Sequence, residues 1–97
     1  MTELAKVQER NFEIVNTLGL HARAAAALVQ TAQKFQAEIQ VAKDDLTVNG
    51  KSIMGILMLA AAKGTTIHIR AEGPDATAAM DALGELVRNG FWEKDRQ

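Results

Sequence analysis

Apolar residues along this chain alternate in some stretches and recur every three or four positions in others, and the changes of period mark out its elements. From Asn11 the pattern has a period of two. Phe12 and Ile14 point one way and Asn11 and Glu13 the other, which predicts a strand ending at Asn16, with Thr17 to Leu20 as a loop. Ala25, Leu28, Val29 and Ala32 then share one side of a helix expected over about 22–34, whose many alanines favour it and keep its surface low. Ile39 and Val41 alternate with Glu38, Gln40 and Ala42 as a second strand. Asp44 and Asp45 turn the chain, and Leu46 and Val48 supply a third strand folding back antiparallel. After the turn at Asn49-Gly50, Ser52 stands at the N-cap position of a second helix. There Ile53, Ile56, Leu57 and Ala60 repeat at three and four until Lys63-Gly64 stops it. Ile67, Ile69 and Ala71, alternating with Thr66, His68 and Arg70, form the clearest strand. Pro74 and Asp75 open a last helix, with Ala76, Ala79, Met80, Leu83, Leu86 and Val87 on its apolar side and Asn89-Gly90 at its end. Gly84 sits inside that helix at a cost of about 1 kcal/mol relative to alanine, and the sequence supplies no reason for it.

The resulting order, βαββαβα, predicts an α+β domain in which one face of a sheet is covered by three helices. A ferredoxin-like fold shares the βαββαβ string, so order alone does not separate the two. At 97 residues the chain is a single domain. Residues 1–10 are polar, with only Leu4 and Val7 to dock, and are expected to be a flexible N-terminal extension. Residues 11–90 form the domain. Residues 91–97 form a tail whose Trp92, the one tryptophan, is expected to fold back over the end of the last helix.

Composition removes several functional classes. A formal charge of -1, with lysines and arginines scattered, leaves no broad basic face for nucleic acid. A ferredoxin-like RNA binder would carry aromatic residues on its open sheet face, where this chain has Glu13, Gln40, Thr66, His68 and Arg70. Without cysteine, and with two isolated histidines, no disulfide framework and no metal site are expected. The amino terminus lacks the apolar run of a secretory signal, and no stretch approaches the ~20 apolar residues that span a bilayer. The chain therefore reads as a cytoplasmic monomer that does not insert into membranes and needs no cofactor.

The candidate chemistry lies in Gly19-Leu20-His21-Ala22-Arg23-Ala24-Ala25, where a histidine stands at the start of the first helix. The first turn of a helix leaves backbone N–H groups unpartnered and carries a partial positive charge, so it holds an anion readily. The amides of Ala22, Arg23 and Ala24 are thus candidate donors to phosphoryl oxygens, and Arg23 can offer its guanidinium fork. Imidazole suits a carrier because its neutral ring is nucleophilic and its phosphorylated ring leaves easily. His68 falls on the polar side of its strand and is not assigned chemistry.

This segment resembles the active-site segment of the histidine-containing phosphocarriers of the bacterial phosphotransferase system, the HPr family with its nitrogen-branch relatives. Two further segments in matching order, Asn49-Gly50-Lys51-Ser52-Ile53-Met54-Gly55-Ile56-Leu57 and Ala71-Glu72-Gly73-Pro74-Asp75, are similar to the family's second helix and to its turn into the last helix. The resemblance covers roughly residues 11–90. It implies an open-faced β-sandwich of four antiparallel strands and three helices. The implied function is that of a stoichiometric carrier, not an enzyme, which takes a phosphoryl group on Nδ1 of His21 from enzyme I and passes it to an EIIA-type acceptor, Arg23 assisting. The alternative is a regulatory nitrogen-branch protein acting through phosphorylation-dependent binding. Ser52 is implied as a regulatory phosphorylation site for an HPr kinase/phosphorylase, beside its capping role. Ala24 departs from the proline usual in the sugar branch; it adds one amide near the anion and loosens the start of the helix.

The second helix carries more apolar residues than one buried side needs: Ile53, Met54, Ile56, Leu57, Met58 and Leu59 are almost continuous. The resemblance makes Ile53, Met54 and Leu57, with Ala22, Ala26 and Ala27, a docking patch for partners. In the competing reading the excess packs against the tail around Trp92.

Overall fold

The computed structural model describes residues 6–93. Its elements are β1 (Lys6–Glu13), α1 (Ala22–Ala32), β2 (Glu38–Lys43), β3 (Leu46–Asn49), α2 (Ile53–Met58), β4 (Thr66–Gly73) and α3 (Ala76–Arg88), with a 3-10 turn over Gly90–Trp92 at the end. The strands form one antiparallel sheet in the order β1-β4-β2-β3. In register, Phe12 faces Ile67, and Ile39 and Val41 face Ala71 and Ile69. All six are buried, while Glu38, Gln40 and Thr66 on the opposite face are exposed. The buried face meets Leu28, Val29, Met80, Leu83 and Val87 from the helices, which is the open-faced sandwich that the order of elements left undecided against a ferredoxin-like fold.

Four boundaries differ from those the periodicity predicts. Residues 6–10, expected in a flexible extension, belong to β1, whose pairing runs from Lys6 opposite Gly73 to Glu13 opposite Thr66. Alternation missed them because β1 is an edge strand whose first half is largely exposed, Val7 included; in the whole strand Phe12 alone is buried. Polar contacts help to hold that part of the strand: Glu9 Oε1 lies 2.7 Å from Nε2 of His68 on β4, and Arg10 lies 3.6 Å from Asp81 of α3. β1 also ends at Glu13, not Asn16; Ile14 still donates from its amide to Thr65 O at 2.9 Å. The other parts of the expected extension and tail, residues 1–5 and 94–97, lie outside the described residues. Finally, α1 and α2 stop early, at Ala32 and Met58. Ala60 takes a positive φ of 48°, so the expected stripe breaks up: Ile56 and Leu59 are buried, while Ile53, Leu57 and Ala60 are exposed.

The structure explains Gly84. A Cβ at this position would lie 2.9 Å from two atoms of the Phe12 ring and 3.0 Å from Nη1 of Arg88, whose guanidinium carbon stands 5.8 Å from the centre of that ring. The glycine lets α3 settle onto β1 at the one place where β1 supplies an aromatic side chain. Asp75, at the N-cap position of α3, does not cap that helix with its side chain. Its carboxylate accepts from the amides of Gln36 and Ala37, each at 2.9 Å, and so ties the start of α3 to the approach to β2.

Gly84→Ala is expected to lower stability by about 1–2 kcal/mol in urea unfolding, because the clash with Phe12 outweighs the gain in helix propensity. The Gln36 amide, aided by the amide of Ala37 and the charge of Lys51 and opposed by desolvation, holds the Asp75 carboxyl below the ordinary aspartate range. A group whose value is depressed by folding stabilises the native state above its unfolded value, and that contribution disappears as pH falls through the folded value. Wild type should therefore exceed Asp75→Asn in Tm at about pH 7, and the difference should shrink towards zero at about pH 2.

Candidate active site

The loop between β1 and α1 determines where α1 begins. Gly19, at φ 66°, donates from its amide to Asn16 O at 3.1 Å, and Leu20 donates to Ala61 O at 2.9 Å. A Cβ on Gly19 would lie 2.4 Å from that Ala61 oxygen, so only glycine allows the two loops to come this close. With Leu20 buried and held, His21 becomes the N-cap of α1. Its backbone is extended (φ -75°, ψ -178°) and its carbonyl accepts from the Ala25 amide at 2.8 Å.

The cap places the imidazole between two environments. Nδ1 faces the first turn, 3.4 Å from the Arg23 amide, a long contact that leaves room at the nitrogen. Among the described residues the amides of Ala22 and Ala24 meet no acceptor. On the opposite side of the ring, Nε2 contacts Oε2 of Glu93. Oε1 of Glu93 accepts from Nδ2 of Asn16 at 2.9 Å, and the same Nδ2 donates to Gly19 O at 2.8 Å. The ring is partly open, its side chain 28% exposed. Such an arrangement can present a nucleophilic nitrogen to an incoming electrophile at a point where backbone donors receive the anion.

Arg23 is exposed on the first turn, and among the described residues its guanidinium forms no ion pair. Ala22 is exposed, Ala26 and Ala27 are half-buried, and Ala24 is completely buried. Ser52 caps α2, its Oγ accepting from the Gly55 amide at 3.1 Å. Ile53, Met54 and Leu57 are exposed, Met54 to 67%, as are Met58 and, in the loop before His21, Leu18. Trp92 does not cover α2. It is exposed and borders a shallow cleft lined by Thr31, Lys34, Ala82, Glu85 and Leu86, whereas the aromatic residue buried after α3 is Phe91. His68 lies on the open face of the sheet between Glu9 and Asn11.

The pattern of residues missed Asn16 and Glu93. Asn16 sits where the strand was expected to end, and Glu93 lies in a tail with no periodicity to read; their relation exists only across 77 positions of chain. Among the described residues no cluster of three His, Cys, Asp or Glu could hold a metal ion, and no helix is long and apolar enough to cross a membrane.

An open-faced sheet, three helices on one side and a histidine capping the first helix define a phosphocarrier-type domain. Comparison with known proteins agrees. Residues 8–89 match the family described as "PTS HPr component phosphorylation site". The phosphocarrier protein HPr of Neisseria meningitidis is 52% identical over 85 residues, covering 88% of this chain and 96% of that protein, and the HPr of Xylella fastidiosa is 49% identical over 85 residues, covering 88% and 96%. Among solved structures, HPr-C-His from Thermoanaerobacter tengcongensis superposes with a TM-score of 0.86 at 47% identity, covering 90% of this chain and 98% of that one. The chain belongs to the HPr phosphocarrier family of the phosphotransferase system.

Removing the cap hydroxyl in Ser52→Ala should cost about 1 kcal/mol in unfolding free energy, while two-dimensional NMR resonances around His21 stay in place.

Proposed function

We propose that this chain carries a phosphoryl group on Nδ1 of His21, accepting it from enzyme I and passing it to an EIIA-type acceptor in the cytoplasm. The observation that carries this reading is the N-cap placement of the ring, with Nδ1 turned to the first-turn amides. Family membership supports the same class of function. In acceptance, the Nδ1 lone pair attacks phosphorus as the donor's bond to phosphorus breaks; in delivery, the P–N bond breaks and its electron pair returns to Nδ1. Phosphoryl transfer demands mainly positioning and charge stabilisation. The amides of Ala22, Arg23 and Ala24 would receive the oxygens, and the exposed Arg23 guanidinium is available to swing onto them. Because His21 is regenerated only by handing the group on, the protein acts as a stoichiometric carrier. Ala24 sits in the first turn, where its amide meets no acceptor among the described residues although the residue is completely buried.

The exposed Ile53, Met54, Leu57 and Ala22, with Ala26 and Ala27 at their margin, would form the surface shared by donor and acceptor. Ser52, at the head of α2, is the proposed regulatory site for an HPr kinase/phosphorylase: a phosphate there would put charge beside that apolar surface and weaken docking while leaving the fold intact.

Incubation with enzyme I, phosphoenolpyruvate and magnesium should add one acid-labile phosphate to wild type and none to His21→Ala, as read by intact mass before and after acid treatment. Absence of the gain, or an acid-stable gain that persists in the variant, would overturn the reading. Presenting the phosphorylated protein with acceptors of the sugar and nitrogen branches then shows which branch it feeds.

A further inference from the structure

Glu93 lies beyond the family-matched residues 8–89, and nothing in the reading of His21 as a carrier requires it. Yet the chain adopts an unfavourable path to deliver it. Gly90, Phe91 and Trp92 all lie at φ 60°, and two of them are not glycine, although L side chains disfavour this region. Burial explains Phe91 but not Trp92, which remains 64% exposed. The turn delivers a carboxylate, 14% exposed, with Oε1 on Asn16 and Oε2 on Nε2 of His21. Asn16 is itself 1% exposed and is also hydrogen-bonded to Gly19 O, so it forms a rigid bracket for the carboxylate.

We propose that Glu93 is a positioning residue, held by Asn16, that selects Nδ1 as the reacting nitrogen of His21 and keeps the phosphorylated ring ready to release its cargo. The inference rests on the carrier reading above. An ionised carboxylate only accepts hydrogen bonds, so Nε2 carries the ring proton and the lone pair is left on Nδ1, facing the amides of α1. When Nδ1 forms its bond to phosphorus, the donor's bond to that atom breaks and its pair stays with the donor. The ring retains Nε2–H and becomes cationic, a charge that Glu93 balances in a partly dry setting. In onward transfer the P–Nδ1 bond breaks, the pair returns to Nδ1 and Nε2–H again stays in place. Loss of that proton would leave Nδ1 a poorer leaving group, and the carboxylate opposes the loss.

Two measurements on the full chain test this. In unphosphorylated wild type, NMR should place the ring proton on Nε2 and show it protected from exchange with water. That signal should weaken in Glu93→Gln, which keeps shape and an acceptor but no charge, and vanish in Glu93→Ala. After phosphorylation with enzyme I and phosphoenolpyruvate, release of phosphate from His21 to water should be about tenfold slower in Glu93→Gln, with the urea midpoint unchanged. A ring proton found on Nδ1 in wild type, or a Glu93→Gln protein that is phosphorylated and releases at the wild-type rate, overturns the inference and spares the carrier reading. Wild type that takes no phosphate on His21 overturns both.

Discussion

The site depends first on a close backbone approach. Leu20 donates to the carbonyl of Ala61, and Gly19 lies so near that oxygen that no side chain fits between them. This junction clamps the β1–α1 loop to the segment leaving α2, and it therefore decides at which residue α1 begins. One residue earlier or later, the imidazole would stand beside the helix and not at its end. The electrostatic value of a helix terminus falls off within one turn, so this register is the difference between a surface histidine and one facing unpaired amides.

Around that clamp the fold brings together pieces distant in the chain. The loop after β1 supplies Asn16 and Gly19, α1 supplies the amides, and the turn after α3 supplies Glu93. The sheet itself contributes no group to the site. It acts as a frame: α3 rests on β1 through the Phe12–Gly84 contact, and Asp75 anchors the start of the same helix to the backbone ahead of β2. Fixing α3 at both places also fixes where its far end releases the chain, and so where Glu93 arrives. Stability of the frame and geometry of the site are thus coupled through one helix.

The apolar excess of α2 has a different origin from the rest of the apolar surface. A helix of six residues has little area to bury, and here Ile56 alone is buried within it while Ile53, Met54, Leu57 and Met58 stay outside. The side chain that was the best candidate to cover them, Trp92, lies instead against the α1 and α3 side of the molecule. The exposed side chains of α2 are flexible and polarizable, so they adapt to surfaces of different shape.

Most elements were legible because their cause is local. Alternation at Ile39 and Val41 and at Ile67, Ile69 and Ala71, the alanine-rich stripe of α1 and the Ser52 cap each depend on neighbours a few positions apart, and these readings agree with the structure. His21 at the head of a helix was legible for the same reason. Three features were not. The largely exposed first half of β1 is a strand only because β4 is long enough to pair with it; Gly84 makes sense only with Phe12 against it; and Glu93 joins the site only because a left-handed turn redirects the chain after α3. By itself the sequence determined the order of elements and put His21 close to the head of α1, since periodicity and capping are short-range. Tertiary structure alone decided the sheet order, the helix register and what the back of the imidazole touches, because those arise from long-range packing that leaves no repeat in the chain.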